Sequence, residues 1–93
     1  MPTIAQRVES IMRIRIRLFA ILRQRAGTDQ FDLEIAEGTT ARQASQLVGQ
    51  RYPALNDFVP RVLLAVNRQY AKPDRPLADG DELALLPAVS GGV

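Results

Sequence analysis

The chain has 93 residues, 46% hydrophobic and 24% charged, with six glycines and six prolines; this length and balance fit one folded domain, leave no room for a separate cofactor domain and exclude a wholly disordered chain. It holds no cysteine and no histidine, which excludes disulfides, thiolate metal sites and catalysis by Ser-His-Asp or Cys-His groups within the chain. The net charge of +2 hides a polarity: residues 1–26 carry six arginines against the single acid Glu9, while residues 27–93 carry nine acids against six bases.

Residues 1–11 (MPTIAQRVESI) are polar, and residues 1–12 read as a flexible extension ahead of a domain over 13–93, with Met12 as an alternative start. From Met12 the chain alternates, with Arg13, Arg15, Arg17 and Phe19 on one face and Ile14, Ile16 and Leu18 on the other; period-two alternation predicts a half-buried strand. Ala26-Gly27-Thr28-Asp29 reads as a loop, and Phe31, Leu33 and Ile35 alternating with Asp32 and Glu34 predict a second strand in a hairpin. Thr40-x-x-Gln43 has the form of a capping box, with Thr39 as the alternative cap, and Ala44, Leu47 and Val48 fall at helical spacing before Pro53. A helix this short is marginal alone and needs a sheet to pack on.

Leu55 and Phe58 in the following loop are expected to cover the bottom of the core. Val62–Val66 predicts a third strand, Gln69-Tyr70 a short edge strand, Asp79-Gly80-Asp81 a turn, and Glu82–Val89 an apolar last strand. One helix and four or five strands close a core if the helix crosses one sheet face. The expected fold class is therefore α+β: a mixed four- to five-stranded sheet with one main helix on one face, the β-grasp or ubiquitin-like arrangement. No apolar run approaches the roughly 18 residues of a membrane span and no signal-type apolar region opens the chain, so a cytoplasmic location is expected.

The Arg13, Arg15 and Arg17 face admits two readings. Three phosphate contacts are few for strong nucleic-acid binding, and stacking aromatics are scarce, so pairing with Asp32 and Glu34 of the neighbouring strand is favoured. Asp79, Asp81 and Glu82 lack the spacing of a calcium loop, and Asp79 is expected to cap the turn. Lys72, the only lysine, reads as a solvated loop residue.

The last strand is apolar on both faces, with Leu83 and Leu85 on one and Ala84 and Leu86 on the other; in an isolated domain this leaves an apolar patch of the kind that marks a partner site. Gly91-Gly92 then follow without an intervening charge. Residues lacking side chains let an extended backbone enter a narrow channel and present a carboxyl group to another protein.

Ala65-Val66-Asn67, Pro76-Leu77-Ala78-Asp79-Gly80-Asp81-Glu82 and the tail Leu86-Pro87-Ala88-Val89-Ser90-Gly91-Gly92 closely resemble the small-subunit family of molybdopterin synthase. Leu18-Phe19-Ala20, Arg23 and Gly27 fit as well, and the resemblance spans residues 13–92. It implies a β-grasp sulfur carrier, a non-catalytic subunit of a heteromeric synthase. A partner adenylating enzyme would join the Gly92 carboxyl to AMP using ATP, sulfur would displace AMP to leave a thiocarboxylate, and the tail would enter the large synthase subunit to supply sulfur to cyclic pyranopterin monophosphate. No cofactor or metal would be bound by this chain itself. Gly91 would give the tail its reach, and Phe19, Leu86, Pro87 and Val89 would line the apolar docking face. Ala88 stands where the family often has a second proline.

One departure concerns the tip: Val93 follows Gly92, so Val93 is trimmed, is an added residue, or marks an inactive or redirected copy. Three other readings stay open. A thiamine-pathway or other sulfur carrier shares the fold and tail. A protein modifier would use the same activated glycine but end in a bond to a target lysine. A non-catalytic nucleic-acid or interaction module would need no tail chemistry at all.

Overall fold

The computed structural model describes residues 11–88. The alternating arginine segment forms β1 (Ile11–Leu18), in which Ile14, Ile16 and Leu18 are buried and Arg13 and Arg15 exposed. The strand begins at Ile11, ahead of the expected boundary, because Ile11 and Met12 find partners in Ala36 and Ile35. Residues 1–10 of the expected extension lie outside the described residues.

A short helix that periodicity does not predict, α1 (Ile21–Ala26), follows β1. It is too short to display a repeat, and Leu22 is its one fully buried side chain. Gly27 ends it at φ 78, its N–H bonding the Arg23 carbonyl at 3.0 Å; this left-handed cap is the conformation glycine adopts without a Cβ penalty. β2 (Gln30–Ala36) then returns antiparallel to β1.

The expected capping box opens α2 (Ala41–Arg51). The Gln43 N–H donates to Thr40 Oγ1 at 3.2 Å and the Thr40 N–H donates to Gln43 Oε1 at 3.0 Å. Thr39 instead closes β2, its hydroxyl donating to the Ala36 carbonyl. The helix buries Ala41, Ala44, Ser45, Val48 and Gly49. Two 3-10 turns, Pro53–Leu55 and Val59–Arg61, lead onward. Leu55 is fully buried and Phe58 half-buried against the core, as the sequence predicts.

β3 (Leu63–Val66) and β4 (Gln69–Tyr70) form a hairpin, and β5 (Glu82–Leu86) inserts between β1 and β3, giving the order β2-β1-β5-β3-β4. β5 runs parallel to β1 and antiparallel to β3. This is the β-grasp arrangement, with α2 crossing one face of a mixed sheet. The core lies between them, from Ile14, Ile16, Leu64, Val66, Leu83 and Leu85 on the sheet to Val48 on the helix. Burial of each large aliphatic side chain favours folding by about 1.5–3 kcal/mol. β5 ends at Leu86, since Pro87 has no N–H to continue the ladder, and Val89, the expected end of the strand, lies outside the described residues. Among the described residues no helix is long and apolar enough to cross a membrane.

Candidate functional site

The strand that carries the tail is clamped at its root. The Asp81 carboxylate accepts from the Ala78 N–H at 2.8 Å and from the Asn67 side-chain amide at 3.0 Å. Asn67 Oδ1 in turn accepts from the Glu82 N–H at 3.0 Å. Gly80, at φ 88, turns its N–H to the Arg13 carbonyl at 2.8 Å. The expected role of Asp79 is corrected here: Asp81 closes the turn, while Asp79 reaches across to accept the Arg13 N–H at 2.8 Å. The motif acids are therefore structural, aiming β5 into the slot between β1 and β3.

Strand alternation then sorts β5. Leu83 and Leu85 point to α2 and are fully buried, whereas Ala84 and Leu86 belong to the outer sheet face. Register places Arg17 beside Ala84, Ala84 beside Ala65, and Ala65 beside Tyr70, a row crossing four strands. Leu63 pairs with Leu86 one step along. The two alanines leave a hollow of about 310 Å³ that Phe19, Leu86 and Tyr70 also line. Tyr70 is 75% exposed and Leu63 44% exposed. Phe19 reaches this face by the same period-two alternation that places Arg17 there, and Ala20 then bends the chain at φ 55, a backbone region that disfavours any side chain.

The other half of the outer face is charged and self-paired. Arg13 meets Glu34 at 3.2 Å and Arg15 meets Asp32 at 3.4 Å, as expected for a solvated face. Arg17 departs from that expectation by pairing with Glu82 of β5 at 3.2 Å, and its guanidinium lies 5.2 Å from the Phe19 ring centroid. A larger groove of about 390 Å³ lies on the helix side between α2 and the turns before β3. Among the described residues no three His, Cys, Asp or Glu side chains group to hold a metal ion.

Of the residues singled out from sequence, Phe19 and Leu86 thus come together on one apolar surface, and Pro87, next along the chain, is half-buried but does not line the hollow. Val89, Gly91 and Gly92 lie outside the described residues. Leu63 and Tyr70 are additional members of the face. Leu63 hides within a continuous apolar run, and Tyr70 sits in a two-residue strand, so neither shows its face until the register is known.

Comparison with known proteins agrees with this architecture. The "Molybdopterin synthase sulfur carrier subunit" of Chlamydomonas reinhardtii is 31% identical over 83 residues, covering 87% of this chain and 100% of that protein. The protein of the same name from Escherichia coli (strain K12) is 35% identical over 82 residues, covering 85% and 99% respectively. The crystal structure of Haloferax volcanii small archaeal modifier protein 1 superposes with a TM-score of 0.78 at 27% identity, covering 84% of this chain and 99% of that one. Residues 16–92, nearly all of the described domain together with the glycine pair, match the ThiS family, and the chain belongs to it.

Proposed function

We propose that this chain is the sulfur carrier subunit of a molybdopterin synthase. The observation that carries the reading is the continuity of β5: one central strand is clamped at its root, lines an apolar outer face and leads directly to Gly91-Gly92. A carboxylate is a poor electrophile and needs activation. Hydrolysis of the Gly92–Val93 peptide bond first frees the Gly92 carboxylate, which then attacks the α-phosphate of ATP on a partner adenylating enzyme, releasing pyrophosphate and forming an acyl-adenylate. A sulfide equivalent then displaces AMP and leaves a thiocarboxylate. Phe19, Leu63, Tyr70 and Leu86 dock on the large synthase subunit, while Pro87 and Val89 direct the tail toward its active site. From Leu86 to Gly92 an extended chain reaches at most roughly 20 Å, enough to carry the sulfur away from the docked face to a buried acceptor.

The acceptor is cyclic pyranopterin monophosphate, and two transfers supply the two sulfurs of the dithiolene. General bases come from the partners, since this chain has neither histidine nor cysteine. ATP and a reduced sulfur donor place the reaction in the cytoplasm. The relatives' shared name favours this substrate over that of a thiamine-pathway carrier.

The test is a single turnover. Thiocarboxylated chain, mixed with large subunit and the cyclic pterin, should lose its sulfur as the dithiolene appears. Retention of the sulfur in that mixture contradicts the proposal. Similarity to an archaeal modifier supports one second reading, conjugation to a lysine; covalent lysine-linked adducts in place of pterin sulfuration would establish it.

A further inference from the structure

The apolar hollow has a charged rim whose two arginines are not equivalent. Arg17 is already engaged by Glu82 and by the Phe19 ring. Arg68 lines the same hollow, and among the described residues no carboxylate stands at ion-pair distance from it. Its backbone is informative too. Asn67 and Arg68 form the two-residue link of the β3–β4 hairpin at φ 53 and φ 71. Links of this kind favour Asn-Gly, because the second position disfavours a Cβ. The chain therefore holds a guanidinium at the rim in a conformation that glycine would fill better, beside the exposed Tyr70.

The geometry points to Arg68 as a specificity determinant of the docking face, reading a carboxylate that lies next to the large apolar side chain with which the partner fills the hollow. The partner is the large synthase subunit, so the inference rests on the sulfur-carrier reading and extends it. The central pair Ala65 and Ala84 gives room for one bulky apolar side chain. With Arg17 balanced by Glu82, the rim keeps one net positive charge at Arg68, which complements an acid and repels a base. A rim charge of this kind acts mainly on encounter, so its signature is an association rate that depends on salt.

Arg68→Gly is the informative variant, since it removes the charge while suiting the backbone. Association with purified large subunit from the same organism is measured by surface plasmon resonance at low and at physiological salt. The thermal midpoint should match or exceed that of the unaltered chain. The association rate should fall about five- to tenfold at low salt, with the difference shrinking as salt rises. Arg68→Lys should keep most of the rate, and Arg68→Glu should lose more than glycine does. An unchanged rate for Arg68→Gly, or an equal loss at both salt concentrations, overturns the inference. Sulfur loading of the tail by the adenylating enzyme is read on the same preparations, all of them ending at Gly92. Normal loading with Arg68-independent association overturns the role of Arg68 and leaves the carrier reading standing, whereas failure to load overturns both.

Discussion

The Asn67 side-chain amide donates to the Asp81 carboxylate at 3.0 Å, tying the tip of the β3–β4 hairpin to the turn that launches β5. The same asparagine accepts the Glu82 N–H, and its own N–H donates to the Glu82 carbonyl at 2.8 Å. Two motif elements far apart in sequence are thus one structural unit. Its product is the direction in which the tail leaves the sheet.

Asn67→Ala should destabilise the domain by about 1–2 kcal/mol, from two lost side-chain hydrogen bonds and a less favourable left-handed residue. Chemical denaturation measures it. A change below about 0.3 kcal/mol would show that the clamp does not hold the strand.

Leu83 and Leu86 lie three residues apart on one strand and should behave oppositely. Leu83 is fully buried, so Leu83→Ala should cost about 2–5 kcal/mol of stability. Leu86→Ala should leave the fold nearly intact but weaken binding to the large subunit by about 2 kcal/mol or more, as for a central interface side chain. Equal stability losses for the two, with unchanged binding for Leu86→Ala, would contradict the assignment of faces.

Much of this division is legible in the sequence, and the reason is local. The alternation of β1 reveals itself because every second residue is either an arginine needing water or an aliphatic needing the core. The Thr40 and Gln43 capping box reads directly because both partners lie within one turn. What stays hidden depends on contacts between distant segments. Asp79 and Asp81 are indistinguishable until β1 lies alongside, and Leu63 and Tyr70 acquire their face only from the register with β5. The α1 helix escapes because its single buried residue, Leu22, makes no repeat. Leu86 was legible on both counts, as the apolar excess of the last strand and as part of the tail motif.

Replacing Arg13, Arg15 and Arg17 together by Gln should produce no new or lost nucleic-acid affinity, because all three guanidiniums are paired within the sheet. The Arg13 and Arg15 pairs are half exposed or more and contribute at most about 0.5 kcal/mol each, with Arg17 the most sensitive of the three. Fluorescence anisotropy with labelled oligonucleotide checks this. Micromolar, salt-dependent binding that vanishes in the triple variant would reverse the reading of that face.

Ala20→Gly should raise stability by up to about 1 kcal/mol, since glycine relieves the strained φ 55 while adding some freedom to the unfolded chain. The thermal midpoint is the readout. A marked fall would mean that the bend after Phe19 is held by the alanine methyl and not merely tolerated.

The central claim is that the reacting group is the carboxyl of Gly92, and the most direct measurement compares two purified forms of the chain, one ending at Gly92 and one at Val93. Retaining Val93 displaces the terminal carboxylate by about 3.3–3.6 Å of extended chain and adds a branched side chain at the tip. Misplacing a reacting atom by even about 1 Å can lower a rate on the order of a hundredfold. Each form is incubated with ATP, the adenylating enzyme and a sulfur donor, and its intact mass is followed over time. The account predicts that the form ending at Gly92 gains the mass difference between sulfur and oxygen while the Val93 form does not. Equal gain by an untrimmed Val93 form would contradict it.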